Sequence, residues 1–288
     1  MDGSQNDPMN RIGVCEWCLP VNGPAALEFA GSVGYEGLQL RDLGGAAKGY
    51  PLNNEYIREL YREAAQRSGV IMHSLHMYTL AHTDGSIHPM NSPAGELATE
   101  GMRYGIETCE ALQIPCINFS ACFAGAIKDD YDFRNFLDHM VFAVEYAADR
   151  GVKVAYEPGV SMEKLEQMLE EAPGITFNYD IHDCIKQGRG FEVPRVFGIE
   201  RIDHVHLKDF KTPPPGSRAS CPCLAGEGYA HIKEGIAVLK KLGYTGWILA
   251  ESGYVYGERP PMSFGCGTDF SKIAQKDYEG IVRMLQEC

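Results

Sequence analysis

Short apolar segments recur along the chain, and each follows a turn marked by glycine or proline. Apolar runs of this length between turn residues are typical of buried β-strands. Eight such segments are present, and they begin at Arg11, Gly34, Ser68, Gln113, Arg150, Pro173, Arg201 and Gly243. The pattern therefore predicts eight strands.

Segments with the periodicity of amphipathic helices separate most of these strands. They cover residues 24–33, 54–68, 92–111, 132–150, 161–171, 193–197, 232–242 and 270–285. Eight strands that alternate with helices predict an α/β fold, a single-domain TIM (β/α)8 barrel over residues 11–288. An open doubly wound sheet is the alternative, but its Gly-rich phosphate loop does not follow the first strand.

Composition and charge disfavour several classes of function. The formal net charge of −13 disfavours nucleic acid and anionic membranes as partners. No apolar run approaches the ~20 residues of a membrane span. Residues 1–10 form a polar tail without the apolar core of a signal peptide, so we expect a cytoplasmic protein. The ten cysteines are scattered, which indicates free thiols in a reducing compartment.

The segment RIDHVHLKDF interrupts an apolar strand with polar residues. Side chains alternate along a strand, so Val205 and Leu207 share the face that should meet the helices. His204, His206 and Lys208 then point into the barrel, with Lys208 nearest the C-terminal mouth. Taken alone, His204 is more often a hydrogen-bonded core residue than a metal ligand.

Acidic residues end three strands next to this one. Glu157 closes VKVAYE, Asp180 closes ITFNYD, and Glu251 closes WILAE. A single acid at such a position is usually a helix N-cap or an ion-pair partner. Together with His206, however, the three acids form a metal-competent set at the rim where barrel enzymes keep their chemistry. One divalent cation would compensate the buried charge, and this donor set suits Mn²⁺, Mg²⁺ or Co²⁺, with Zn²⁺ also open.

Aromatic and histidine side chains are candidates for the substrate-binding surface. Trp17, His73 and His76 are placed at the ends of strands one and three, where they stack on a sugar ring or pack the barrel top. His182 is a candidate substrate contact, or a group that holds a metal ligand in place.

Three charged residues complete the candidate site. Lys208 is a candidate acid or hydrogen-bond donor to the substrate, and its alternative role is a salt bridge to Asp180 or Asp183. Asp183 is itself a candidate substrate-binding residue. Glu227, in the Gly-Glu-Gly loop, is expected to orient Lys208 or to close over the substrate.

Five motifs carry a resemblance to a known family. VAYEPG, YDIHD, DHVHLKD, GEG and GYTGWILAE resemble the xylose isomerase-like TIM barrels, over a region that begins at Arg11 and reaches the C-terminus. That family includes sugar isomerases and epimerases, inosose-processing enzymes and apurinic endonucleases of the endonuclease IV type. The resemblance implies that Glu157, Asp180, His206 and Glu251 bind one divalent metal ion.

The chain departs from two branches of that family. Endonuclease IV-like proteins add histidines and acids for three zinc ions, but here SCPCLA and INFSACF lack them, and Asp183 replaces a third histidine. Sugar 3-epimerases usually carry a Gly-Glu-Ser-type run with an arginine after the strand-seven histidine, where this chain has LKDFK. An abasic-site nuclease and a free-ketose 3-epimerase are therefore both disfavoured.

These observations predict a metal-dependent isomerase or epimerase of a ketose, keto-sugar or cyclitol, with Mn²⁺ favoured. The metal would polarise the ketone and stabilise an enediolate, while Glu157 and Glu251 act as base and acid from opposite faces. The alternative is a lyase with the same site, of the inosose dehydratase or 3-keto-glycoside-cleaving kind. A non-catalytic sugar-binding subunit is less favoured. The expected partners are a small carbohydrate and, in a homo-oligomer, further copies of the chain.

Overall fold

The computed structural model describes residues 10–212, 222–252 and 269–288. Its barrel strands are β1 (Ile12–Cys15), β2 (Gly37–Arg41), β3 (Ile71–His76), β4 (Cys116–Ser120), β5 (Lys153–Glu157), β6 (Ile175–Asp180), β7 (Ile202–Leu207) and β10 (Trp247–Ala250). All eight are parallel and close in the order β1-β10-β7-β6-β5-β4-β3-β2, because the first strand pairs with the last. The predicted TIM barrel is confirmed. Two short strands, β8 (Asp209–Phe210) and β9 (Pro222–Cys223), form an antiparallel pair after β7.

The helices of the described residues separate these strands in the chain, and the last helix follows β10. They are α1 (Pro24–Val33), α2 (Glu55–Ser68), α3 (Tyr78–Ala81), α4 (Pro93–Leu112), α5 (Asp130–Ala148), α6 (Met162–Glu171), α7 (Ile181–Lys186), α8 (Glu192–Phe197), α9 (Ile232–Lys241) and α10 (Phe270–Glu287). All eight predicted helices are present, with ends within two residues of the predicted ones. The sequence pattern does not predict α3 and α7, because they are too short to show a periodicity. In the described part of the chain, no helix combines the length and apolar character that crossing a membrane requires.

The inward and outward faces of β7 divide as the alternation predicts. Val205 and Leu207 are fully buried members of the apolar core. His204 and His206 lie inside the barrel, where both contact Gln39 of β2. The interior of the barrel therefore contains a polar column instead of a purely aliphatic core.

Two β-bulges shift the strand register near the N-terminal end of the barrel. Between β2 and β3 the pairing skips His73, and between β6 and β7 it skips Asp203. A bulge opposes two residues to one and re-aims the side chain of the extra residue. His73 and Asp203 consequently meet at the end of the barrel opposite to the mouth, 4.0 Å apart between Nε2 and Oδ1.

The cysteines of the described residues are free thiols, as the sequence predicts. Most of them are buried, including Cys15 and Cys18 beside the barrel mouth. Cys221, Cys266 and nearly all of the predicted tail, 1–10, lie outside the described residues.

Candidate metal centre

The C-terminal ends of four neighbouring strands converge at the mouth of the barrel. Glu157 of β5, Asp180 of β6, His206 of β7 and Glu251, which follows β10, each offer a ligand atom within 4.8 Å of the others. The barrel register pairs Asp180 directly with His206. His206 Nδ1 lies 3.0 Å from Glu251 Oε2 and 4.0 Å from Glu157 Oε1. The structure thus brings together the four side chains that the sequence singled out, and their role as ligands stays a prediction.

Asp180 also forms the N-cap of α7. Its Oδ1 accepts a hydrogen bond from the backbone N–H of Asp183 at 2.8 Å. The cap fixes Oδ1 of the carboxylate. The other oxygen, Oδ2, contacts the Lys208 ammonium, which also contacts Glu251 of the cluster. The helix-capping interpretation and the metal-ligand interpretation of this residue are therefore compatible.

The Lys208 ammonium lies among the carboxyl groups of this site. Its Nζ is 2.7 Å from Asp180 Oδ2, 3.2 Å from Asp183 Oδ2 and 3.3 Å from Glu251 Oε2. Burial works to lower the pKa of Lys208, but the surrounding carboxylates outweigh it and raise the pKa well above the usual value. The salt bridges that the sequence suggested are present. With Glu157 in the same cluster, four carboxyl groups surround one ammonium, and this excess of hard oxygen donors fits a divalent cation.

The acids of the site differ in their readiness to ionise. Burial raises the pKa of Glu157 well above its usual range, and burial also raises the pKa of Asp180 to about 7. Burial opposes ionisation of Glu251 too, but Lys208 and His206 outweigh it and hold the pKa of Glu251 well below its usual range. The surroundings thus shift the pKa values of Glu157 and Glu251 in opposite directions, which is the arrangement that an acid and a base require. A bound cation would lower the pKa of all three carboxyl groups.

An aromatic wall lies on the β1 and β3 side of the site. The Trp17 indole donates from Nε1 to Glu251 Oε1 at 3.0 Å, and its ring lies 5.0 Å from that of His76. The Asn118 amide donates to His76 Nδ1 at 2.8 Å, so a neutral His76 has its proton on Nε2. Burial lowers the pKa of His76 to about 3, which keeps the ring neutral. The predicted positions of Trp17 and His76 at the mouth agree with the structure.

His182 and Asp183 support Lys208. His182 Nδ1 lies 3.0 Å from Asp183 Oδ1, and the other oxygen of Asp183 faces Lys208. The Tyr229 hydroxyl, 3.3 Å from His182 Nε2, completes the chain. Burial works to raise the pKa of Asp183, but Lys208 and His182 outweigh it and lower the pKa to about 2. An ionised Asp183 holds Lys208 in place, and a direct contact of His182 or Asp183 with substrate stays a prediction.

His73 does not lie at the mouth, which corrects the sequence-based placement. Its ring is 5.0 Å from His204 and 4.9 Å from Trp247. It lines a cavity of about 560 Å³ with residues such as Pro115 and Gly246, which precede β4 and β10. The physical reason is that His73 belongs to the first half of β3, in the bulge that turns its ring to the N-terminal end. A substrate at the C-terminal mouth therefore does not reach it.

Glu227 does not orient Lys208, which is a second correction. Its carboxylate lies 2.7 Å from the ammonium of Lys276 on α10 and 3.5 Å from that of Lys211. Both lysines are more than half exposed, so these are surface ion pairs. Asp183, which contacts the Lys208 ammonium at 3.2 Å, orients Lys208 instead.

Asp209 is a buried residue that the sequence analysis missed. Its Oδ1 accepts the backbone N–H groups of Phe210 and Ala230, and its Oδ2 accepts those of Gly226 and Gly228, all within 3.1 Å. A Cβ on Gly228 would overlap Asp209 Oδ1 and the Phe210 carbonyl. The Gly-Glu-Gly motif is thus the loop that wraps around this carboxylate, and the aspartate of HLKDF was the signal for it.

Replacing Asp209 with asparagine is expected to lower the free energy of unfolding by about 2–4 kcal/mol, because the two N–H groups that face Oδ2 would then meet an amide donor. Urea unfolding measures the loss. Asp84→Asn, at an exposed carboxylate, is the matched control and should change the stability little. Equal stability of the Asp209 variant and the wild type would contradict this role.

Comparisons with known proteins place these features in context. A sequence model described as the xylose isomerase-like TIM barrel matches residues 27–282. The chain is 26% identical over 229 residues to 2-epi-5-epi-valiolone 7-phosphate 2-epimerase of Actinoplanes sp., a match that covers 76% of this chain and 78% of that protein.

Solved structures share the fold at low sequence identity. D-allulose 3-epimerase from Methylomonas sp. in complex with D-allulose superposes with a TM-score of 0.69 at 17% identity, covering 96% of this chain and 98% of that one. A xylose isomerase-like TIM barrel protein from Mycobacterium smegmatis in complex with magnesium gives a TM-score of 0.64 at 14% identity, covering 100% and 99%. At these identities the likeness establishes the fold alone.

Proposed function

Because the chain belongs to the xylose isomerase-like TIM barrel family, we propose that it is a divalent-metal-dependent isomerase or epimerase of a ketose, keto-sugar or cyclitol. The observation that carries the proposal is the convergence of Glu157, Asp180, His206 and Glu251 at the barrel mouth. The Actinoplanes relative and the Methylomonas neighbour are both named as epimerases, which supports the same reaction class.

The four converging side chains would hold the metal ion. Three carboxylates and one imidazole are a mainly oxygen donor set, and we propose Mn²⁺ as the ion. The magnesium in the Mycobacterium smegmatis neighbour supports a divalent ion in this fold. Bound there, the cation would act as a Lewis acid that polarises a substrate carbonyl and acidifies the neighbouring C–H.

Glu251 and Glu157 are the proposed base and acid. Glu251 follows β10 and Glu157 ends β5, with β7 and β6 between them, so they flank the site from two sides. The ionised Glu251 is suited to remove the proton next to the carbonyl, and Trp17 fixes its carboxylate. Glu157 would return a proton to the other face, which requires one of its carboxyl oxygens to remain free of the ion.

The remaining groups would position the substrate. Lys208 is held by Asp180 and Asp183 and can donate a hydrogen bond to a substrate oxygen. Trp17 and His76 offer an aromatic wall for a sugar ring. A cytoplasmic location and a homo-oligomer stay predictions from the sequence.

Metal analysis and solvent deuterium exchange across a panel of keto-sugars test the proposal. We expect one divalent ion per chain, and deuterium at one carbon next to the carbonyl of the active sugar. Chelation of the ion should abolish the exchange, and Mn²⁺ should restore it. A protein that takes up no metal, or exchanges no proton with any of the sugars, contradicts the proposal. A product with enone absorbance would instead assign the site to an elimination.

A further inference from the structure

Glu157 differs from the other acids of the candidate metal centre in how its side chain is held. The helix cap fixes Asp180, and the Trp17 indole fixes Glu251. Within the described residues, the Glu157 carboxylate accepts no hydrogen bond, and its nearest imidazole nitrogen, His206 Nδ1, lies 4.0 Å from Oε1. The position of this carboxylate therefore depends on the backbone that carries it.

The strand that ends at Glu157 loses one of its neighbours just before this residue. On the β4 side, pairing continues to Glu157, which lies opposite Ser120. On the β6 side, pairing ends one residue earlier, with Tyr156 opposite Phe177. The next residue, Pro158, has no backbone N–H to donate to a sheet. The backbone beyond Tyr156 thus needs another support on the β6 side.

The Arg189 guanidinium supplies that support from the connection between α7 and α8. It donates from Nη2 to the Pro158 carbonyl at 2.6 Å and from Nη1 to the Val160 carbonyl at 3.0 Å. The Gln187 side chain also accepts from Nη2. A guanidinium presents its N–H groups in a planar fork, so one side chain can span two carbonyls. The residues that directly follow Glu157 are thereby tied to the residues that follow α7.

The surroundings of Arg189 indicate that these contacts are its role. The residue is only 8% exposed, and its three hydrogen-bond acceptors are uncharged oxygen atoms. Its Nε is buried without a partner among the described residues. Arginine is rarely buried unless an acid pairs with it, because desolvation of the charge costs free energy. The buried position is therefore explained by the two carbonyls that it holds and not by an ion pair.

The local sequence QGRG fixes the backbone on both sides of Arg189. Gly188 and Gly190 have φ angles of +73° and +55°, in the left-handed region that favours glycine. The backbone N–H of Arg189 donates to the Cys184 carbonyl at 2.9 Å, and the Tyr179 hydroxyl donates to the Gly190 carbonyl at 3.3 Å. The turn that carries the guanidinium is thus anchored to α7 and to β6.

We propose that Arg189 is a positioning residue, which holds the Pro158 and Val160 carbonyls and so keeps Glu157 directed at the metal centre. The inference rests on the proposed function for the role of the Glu157 carboxylate. Replacing a residue that orients a metal ligand typically lowers metal affinity or activity by about 10- to 100-fold.

Arg189→Lys tests the proposal, because it keeps the charge but replaces the fork with a single ammonium that cannot span both carbonyls. We expect Mn²⁺ to bind about 10-fold more weakly than to the wild type. In the metal-free protein, the Gly159 amide, which donates to the Tyr156 hydroxyl at 3.2 Å, should exchange its hydrogen about 10-fold faster. Mn²⁺ titration and amide hydrogen exchange by NMR measure the two effects.

Arg195→Lys is the matched control. Arg195 lies on α8, is exposed, and stacks its guanidinium 5.8 Å from the centre of the Phe191 ring. The same substitution there should leave Gly159 exchange and Mn²⁺ affinity within about twofold of the wild type. Arg189→Met, which removes the buried charge together with the hydrogen bonds, repeats the test if the lysine variant does not fold, and it should give the same two changes.

A double-mutant cycle with Glu157→Gln separates positioning from a general loss of stability. If Arg189 acts through Glu157, adding Arg189→Lys to Glu157→Gln should weaken Mn²⁺ binding by less than about twofold. The same 10-fold loss in both backgrounds would mean that Arg189 does not act through Glu157, and would overturn the inference.

The outcomes distinguish this inference from the proposed function. If the wild type binds Mn²⁺ and either Gly159 exchange or Mn²⁺ affinity is unchanged in Arg189→Lys, the positioning role is overturned while the metal site stands. A wild type that binds no Mn²⁺ contradicts the proposed function. Gly159 exchange then decides alone, since faster exchange in the variant supports the hold of Arg189 on this segment and unchanged exchange overturns it.

Discussion

Replacing Glu251 with glutamine is expected to lower kcat by about 10²–10⁴-fold, the contribution typical of a proton-transferring side chain. Glutamine keeps the shape of the side chain and an oxygen that can accept the Trp17 indole N–H. It loses the negative charge that faces His206 Nδ1 and Lys208. The variant side chain therefore cannot remove a proton, and it binds a cation less strongly than the carboxylate does. The deuterium exchange rate with the active sugar and the Mn²⁺ dissociation constant measure the two effects.

The control for this experiment removes the same charge elsewhere. Glu166, on the exposed side of α6, lies outside the site, and Glu166→Gln should retain wild-type exchange and affinity. If the Glu251 variant retains more than half of the wild-type exchange rate, Glu251 is not the base.

Replacing Lys208 with methionine is expected to destabilise the metal-free protein by about 3–5 kcal/mol, because it removes the buried cation among several carboxylates. Mn²⁺ should restore most of this loss, since the cation compensates the same carboxylates and no longer competes with the ammonium for Asp180. Urea unfolding with and without Mn²⁺ gives both values. The variant should also gain more stability from Mn²⁺ than the wild type does.

Lys233→Met is the control, because Lys233 is also ion-paired, to Glu287 at 2.8 Å, but more than half exposed. A surface pair contributes at most about 1 kcal/mol and should not respond to Mn²⁺. A loss of stability in Lys208→Met that is the same with and without Mn²⁺ would mean that the ion does not bind among these carboxylates.

The fold and the four candidate metal ligands follow from local patterns in the sequence. Strand and helix periodicities depend on residues close in the chain, so the alternation of eight strands with helices could be predicted from the sequence. The C-terminal ends of parallel strands meet at one rim, and the positions of Glu157, Asp180 and Glu251 at strand ends were therefore enough to predict their meeting with His206.

The errors concern positions that depend on distant parts of the chain. His73 looked like a strand-end residue because a bulge in β3 leaves no mark in the spacing of apolar residues. Glu227 pairs with Lys276, and Gln39 joins two histidines of a strand more than 160 residues away. Such partners are set by the packing of the barrel, which the periodicity does not describe.

The pairing of β1 with β10 and the contacts of α10 have a consequence for biosynthesis. The first strand finds its second neighbour only when residues 247–250 have been made, and the Tyr278 ring of α10 packs against Tyr35, which lies between α1 and β2. The Asp277 carboxylate of the same helix accepts the backbone N–H of Ala225, just before the Gly-Glu-Gly loop. Because synthesis runs from the N-terminus, one edge of β1 in the nascent chain stays unpaired until β10 has emerged from the ribosome. The barrel therefore closes late in synthesis, and chaperones that shield the unpaired edge of β1 during elongation would protect the chain from aggregation.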